Sequence, residues 1–279
     1  MWPADCGAHL CNATGVVAHS RSRYATEPLA LEQGHVVPLN SPKDGTGGET
    51  MSALSWTLIV PVRRADTAKS RLTDGTPELA RAIAVDTIVA ASRASGVAAV
   101  IVVTDDPELE RVLAPLIGPG DAELRVLQQG SVQGLNPSIR LGIRAAEHDG
   151  RALAVMLGDL PALRPAELDS ALAAASAFPR AVVADHLGTG TTLLTALPSA
   201  TALLDPAFGA DSFARHLRAG HTALELGADS TVRSDVDTRA DLERAERLGL
   251  GHHTSSALAA RAYAATLPGR NRVTERDAV

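Results

Sequence analysis

The sequence predicts an α/β domain on a mostly parallel, doubly wound sheet, and three observations carry that reading. Short apolar runs recur, among them Leu58-Ile59-Val60, Val100-Ile101-Val102-Val103 and Leu153-Ala154-Val155-Met156-Leu157, each too short for a helix and without a polar face. Between them stand well-formed helix starts, Thr76-Pro77-Glu78, Asp106-Pro107-Glu108 and Asn136-Pro137, each with a capping side chain followed by proline. The two signals alternate at regular intervals, which is the pattern of crossover units in a parallel sheet.

Taken in order, residues 1–54 lack a sustained apolar period and are rich in Gly, Pro, Ser, Asn and His. They are expected to be a disordered extension, with Met51 the expected start of the protein. Thr57–Val62 is the first strand, followed by a helix from Thr76 to about Ser95 that Gly96 stops. Ala98–Val103 is the second strand, and Asp106 opens the next helix. Leu124–Leu127 is a third, short strand, and Asn136 is expected to cap a helix reaching about His148. A central strand ends at Gly158-Asp159-Leu160-Pro161, and a helix runs from Pro165 to about Ala177. Arg180–Ala184 and Thr191–Thr195 read as two strands joined by a glycine-containing turn. A helix over 211–218 and a strand over 222–226 follow. Thr238 caps a last helix, with Asp241 at the capping-box position and Gly249 as terminator. A short alanine-rich helix is expected within the tail 251–279. The organisation is therefore one domain over 55–250 with a tail at each end.

Composition excludes several classes. Net charge is −6 with no Lys/Arg-rich run, so a nucleic-acid footprint is missing. No apolar stretch reaches the roughly 18 residues needed to cross a bilayer, and the first residues lack the order of a signal peptide. Cys6 and Cys11, the only cysteines, lie in the first dozen residues and suggest no disulfide framework. A soluble, cytoplasmic protein is expected. Neither G-x-G-x-x-G nor a P-loop motif follows any strand.

The candidate chemistry lies at strand exits. Asp159 follows a buried central strand, where open α/β sheets bind ligands, and its carboxylate can hold a hard divalent cation against phosphate oxygens. The alternative is a carboxylate that only caps the helix near Pro165. The loop leaving the first strand carries Arg63, Arg64, Lys69 and Arg71, which can neutralise a polyphosphate. Lysine occurs at 43 and 69 alone, so its retention at 69 favours a role. Gly134-Leu135-Asn136 offers an amide at another strand exit. Gly188–Thr192 supplies hydroxyls and open backbone. Gly209 and Ser212 stand at a predicted helix start, where phosphate binds readily. Asp235 and Asp237 follow the last strand, one a candidate second metal ligand and one a candidate helix cap.

The ordered set VPVR…AKSRL (60–72), GLN (134–136), GDLPAL (158–163), ADHLGTGTTLL (184–194), FGADSF..H (208–216) and DVDTRADL (235–242) resembles the 2-phospho-L-lactate/phosphoenolpyruvate guanylyltransferase family of coenzyme F-420 biosynthesis. Arg63 departs from it, standing where many members carry lysine. The resemblance implies a single-domain nucleotidyltransferase fold related to GT-A glycosyltransferases. It implies transfer of GMP from GTP to phosphoenolpyruvate or 2-phospho-L-lactate, with pyrophosphate released. Phosphoenolpyruvate is the preferred acceptor; 3-phospho-D-glycerate, molybdopterin or sugar-phosphate acceptors, and a non-catalytic nucleotide-binding protein, are the alternatives. By the same resemblance Asp159 and Asp235 hold Mg2+, and Lys69, Arg63 and Arg71 steady the triphosphate. Pro61, Thr104 and Asn136 lie near the nucleotide, and Thr191, Gly209 and Ser212 hold the acceptor. It leaves room for a homodimer and for a downstream transferase that receives the product.

Overall fold

Among the described residues seven strands and a two-residue edge strand, Val37–Pro38, form one sheet, and burial on both faces explains the apolar composition of its central strands. The computed structural model describes residues 37–38, 54–63 and 76–266. The strands are β1 (Trp56–Val62), β2 (Val97–Thr104), β3 (Glu123–Gln128), β4 (Ala152–Met156), β5 (Arg180–Ala184), β6 (Thr191–Ala196) and β7 (Thr222–Glu225). Their order is β7-β5-β6-β4-β1-β2-β3. Pairings are parallel except at β6, which runs antiparallel to both β4 and β5. Val37–Pro38, inside the stretch expected to be disordered, pairs in parallel with β7 at the outer edge. The rest of residues 1–53 lies outside the described residues.

The helices are α1 (Pro77–Ser92), α2 (Leu109–Leu113), α3 (Leu135–Ala146), α4 (Pro165–Ala175), α5 (Ser212–Arg218), α6 (Arg239–Leu248) and α7 (His252–Thr266). Alternate strand residues face opposite ways, as the pleat requires. Leu58, Val60, Val100, Val102 and Met156 join Ile88 of α1, Leu109 of α2 and Leu168 of α4 in one apolar layer. Ile59, Ile101, Val103 and Val155 meet Ile139 of α3 on the other face. Two covered faces favour apolar residues in β1 and β4, hence their apolar runs; the one hydroxyl there, Thr57 of β1, is buried and donates to Asp149 Oδ2 (2.9 Å).

Caps fix the helix ends largely where the sequence places them. Thr76 Oγ1 accepts from Leu79 N (3.3 Å) at the start of α1. Thr238 and Asp241 form the expected capping box of α6, which Gly249 ends at φ 98°. Two expected caps are displaced. The N-cap of α2 is Glu108 rather than Asp106, whose Oδ1 accepts from Glu108 N (3.0 Å) ahead of the helix. Gly134, at φ 95°, precedes α3, and Asn136 sits inside its first turn. The Asn136 amide is engaged elsewhere: Nδ2 donates to Phe208 O (3.0 Å) and Oδ1 accepts from Phe208 N (2.8 Å).

The expected alanine-rich helix of the tail is longer than anticipated, and it is latched to α1. Buried Asp86 accepts from His253 N (3.0 Å) and Thr254 N (2.7 Å), so a side chain of α1 caps the first turn of α7. Asp86→Ala removes both acceptors and should cost about 1–2 kcal/mol. Hydrogen exchange within 252–266 is expected to accelerate while β1 and β4 stay protected.

Candidate active site

The inverted strand assembles the site. Because β6 runs against its neighbours, its first residue, Thr191, lies opposite Ala184 at the end of β5, while Leu193 pairs with Met156 at the end of β4. The exits of β1, β4 and β5 and the entry of β6 therefore share one edge. That edge opens into a cavity of about 640 Å3, a volume suited to a nucleotide-sized ligand.

One wall is acidic. Asp159 and Asp235, 76 residues apart in sequence (235 − 159), are joined through backbone: Val236 N donates to Asp159 O (3.0 Å). Val236 itself is fully buried with Leu79, Ile83 and Leu242, which aims its neighbours Asp235 and Asp237 toward the cavity they both line. The β4 exit is held from below, where Thr87 Oγ1 accepts from Leu160 N (3.0 Å) and donates to Ile83 O (2.8 Å). Asp159 does not cap α4, whose N-cap is Arg164 with no side-chain cap bond. Asp185 adds a further carboxylate to the cavity wall. Arg233 pins this loop to the end of β5, donating to Ala184 O (3.2 Å) and Asp185 O (2.8 Å).

Burial, and then the charges of Asp159, Asp185 and Asp237, push the Asp235 carboxyl up to about 8. Its Oδ1 is buried with no hydrogen-bond partner among the described residues and lies 3.6 Å from His186 Nδ1. The His186 Nε2 in turn lies 3.2 Å from Asp241 Oδ1. So much gathered negative charge fits a hard divalent cation. Among the described residues no three His, Cys, Asp or Glu side chains form a ready cage. Two carboxylates completed by substrate oxygens and water suit a catalytic divalent cation rather than a structural metal.

The facing wall offers hydroxyls. Thr191 and Ser212 line the cavity, with Ser212 Oγ donating to Thr191 Oγ1 (3.2 Å). Gly209 lies beside them at φ 123°, and Asp211 is left-handed at φ 52°, so the segment turns sharply into α5. Behind the hydroxyls stands His216, fully buried, its Nδ1 3.0 Å from Thr191 Oγ1 and its Nε2 accepting from Ala207 N (3.0 Å). Burial, then His221 and Arg215, lower the His216 ring to about 4; burial lowers His221 likewise to about 4.

Both rings therefore stay neutral in the fold at pH values where an unfolded histidine is charged. The unfolded chain binds more protons between about 4 and 6.5, so stability falls as pH drops through that window. In His221→Asn the amide still faces the His216 carbonyl that His221 Nδ1 meets at 3.1 Å, but the titrating ring is gone. Its urea midpoint is expected to fall less between pH 6.5 and 4 than that of the unsubstituted protein, by an amount worth about 1–3 kcal/mol.

Of the residues expected from sequence, Pro61, Arg63 and Asp159 line the cavity together with Thr191, Gly209, Ser212 and Asp235. Thr104 does not face it: the side chain is fully buried, and its Oγ1 accepts from Asp106 N (3.0 Å). Asn136 ties α3 to the Phe208 backbone, while its neighbour Leu135 reaches the wall. Both are positioned behind the cavity rather than in it. Lys69 and Arg71 lie outside the described residues. Asp185 and His216 were not singled out, although each stands inside a quoted motif. A titratable residue within a glycine- or hydroxyl-rich strand-exit motif was the signal available.

A MobA-like NTP transferase domain model matches residues 78–229. A phosphoenolpyruvate guanylyltransferase of Streptomyces scabiei is 46% identical over 224 residues, covering 74% of this chain and 97% of that protein. A namesake from Geodermatophilus obscurus is 44% identical, covering 73% and 94%. Among solved structures, a protein described as a nucleotide-diphospho-sugar transferase from Desulfovibrio desulfuricans superposes with a TM-score of 0.54 at 17% identity, over 74% of this chain and 95% of that one. That last likeness bears on the fold alone. Among the described residues no helix is long and apolar enough to cross a membrane. Motifs, cavity and relatives agree: the chain belongs to the phosphoenolpyruvate guanylyltransferase family, on a MobA-like, GT-A-related nucleotidyltransferase scaffold.

Proposed function

We propose that this protein transfers GMP from GTP to phosphoenolpyruvate, releasing pyrophosphate, in the cytoplasm and as a step toward coenzyme F-420. The observation that carries the reading is the backbone tether of Val236 to Asp159, which sets two acidic side chains on one wall of a nucleotide-sized cavity. An acceptor phosphate oxygen attacks the α-phosphorus of GTP. The new P–O bond forms as the bond from the α-phosphorus to the bridging oxygen breaks, and pyrophosphate leaves with that electron pair. The nucleophile is already ionised at neutral pH, so no general base is needed. The barrier is the approach of two anions, and it is lowered by positioning and charge neutralisation.

Asp159 and Asp235 would hold a divalent cation such as Mg2+, which when bound neutralises phosphate charge and polarises the reacting phosphoryl group. Arg63 lies at the β1 exit, on the side assigned to the triphosphate, with Lys69 and Arg71 following it in the same loop. Thr191, Ser212 and the Gly209 backbone receive the acceptor. The test is pyrophosphate release from purified protein with Mg2+, each nucleoside triphosphate in turn, and phosphoenolpyruvate, 2-phospho-L-lactate or 3-phospho-D-glycerate. Release with GTP and phosphoenolpyruvate is expected. Silence with GTP and all three acids would overturn the reading, and a preference among them would name the acceptor.

A further inference from the structure

We propose that His216 sets the direction of hydrogen bonding across the acceptor wall, making Thr191 a donor toward an anionic group and so serving as a positioning residue for acceptor recognition. This rests on assigning Thr191 and Ser212 to the acceptor.

The polarity follows from a count of protons. The backbone N–H of Ala207 can only donate, and it points at His216 Nε2 (3.0 Å), so that nitrogen carries a lone pair. The ring is neutral because it is fully buried among Phe208, His221 and the β6 edge, with Phe208 edge-on at 5.2 Å. A neutral ring with Nε2 accepting carries its hydrogen on Nδ1, and Nδ1 lies 3.0 Å from Thr191 Oγ1. Nδ1–H therefore donates to Thr191.

Thr191 Oγ1 also accepts from Ser212 Oγ (3.2 Å). Both lone pairs of Thr191 are then used, and its own hydrogen has no acceptor among the described residues. Thr191 lines the cavity, so that hydrogen is available to a ligand there. A hydroxyl is ordinarily indifferent, donating or accepting as its partner requires. Here a backbone amide, acting through the imidazole, removes the choice. The wall favours a carboxylate or phosphate oxygen and rejects a group that can only donate, such as an ammonium, since two donors would face each other.

The variants His216→Gln and His216→Asn separate this from simple packing. Glutamine can place an oxygen near the Nε2 position, keeping the Ala207 bond, but has no donor at Nδ1. Asparagine places an amide nitrogen near Nδ1, keeping the donor to Thr191. His216→Gln is expected to raise the KM for phosphoenolpyruvate about tenfold or more with the KM for GTP unchanged, and His216→Asn to stay within about threefold. Equal effects of both variants, or equal changes in both KM values, would overturn the proposal. The tautomer is read independently of turnover, from long-range 1H–15N spectra of histidine-labelled protein. Hydrogen on Nδ1 and a bare Nε2 near neutral pH are expected; hydrogen on Nε2, or a charged ring, would refute the polarity. If the unsubstituted protein turns over none of the acids, the functional reading falls while the spectrum still decides the polarity.

Discussion

Asp235→Asn is expected to lower GTP-dependent pyrophosphate release by about a thousandfold or more and, in chelator, to raise the melting temperature. The two effects have one cause. Asp235 lies in the cavity wall with its carboxyl pushed up to about 8, by burial first and by three neighbouring carboxylates second. An acid whose folded value lies above its unfolded one binds its proton better in the fold. It costs stability progressively as pH rises from about 4 to 8. Asparagine keeps the shape and removes the charge, so the metal-free variant gains at pH 8. Adding Mg2+ should favour the unsubstituted protein alone, through ligand binding to the folded state, and narrow the gap. Asp159→Asn should match the loss of activity. An Asp235→Asn protein that keeps full turnover, or melts lower than the parent in chelator, would show that this carboxylate is not a strained cation ligand.

Gly158→Ala is the second large effect. A glycine at a strand exit can serve to let a ligand approach the backbone. The structure gives a different reason: a Cβ there would lie 2.9 Å from Val62 Cγ2 and 3.1 Å from Pro61 O. It is the exit of β1 that presses on Gly158. Pro61 O is backbone and yields little, so the added methyl must displace the residue bearing the Asp159 side chain. Overpacking of this kind costs about 1–3 kcal/mol, and a shift of about 1 Å at a reacting site can cost a hundredfold in rate. The expected result is a folded protein with kcat reduced about a hundredfold. Unchanged kcat would mean that the two strand exits accommodate the methyl without moving Asp159.

Much of the fold was legible because its elements announce themselves locally. The apolar runs of β1 and β4, the Thr76-Pro77 start of α1 and the Thr238–Asp241 box of α6 depend on residues within a few positions of one another. What escaped depends on distant partners. Asn136 and Pro137 look like a cap and its proline, yet the amide answers to Phe208, 72 residues on. That β6 inserts between β4 and β5 cannot be read from a hairpin, because its own sequence specifies only its partner in the turn. Asp159 and Asp235 were legible as cavity residues through their place after strands, and Thr191, Gly209 and Ser212 through their motifs. His216 stood at the end of the FGADSF..H motif without a role, since its meaning lies in the backbone amide behind it and the hydroxyl before it.

The tether between Val236 and Asp159 reaches further than the cavity. Val236 is packed with Ile83 of α1 and Leu242 of α6, and Pro161 O, two residues past Asp159, accepts from Gly251 N (2.8 Å) at the entrance to α7. The helices α6 and α7 are thus in mechanical register with the carboxylates. Trimming or fraying near residue 250 would be felt as a fault in phosphoryl transfer long before the sheet itself gave way, and turnover becomes a gauge of whether the final helices are seated.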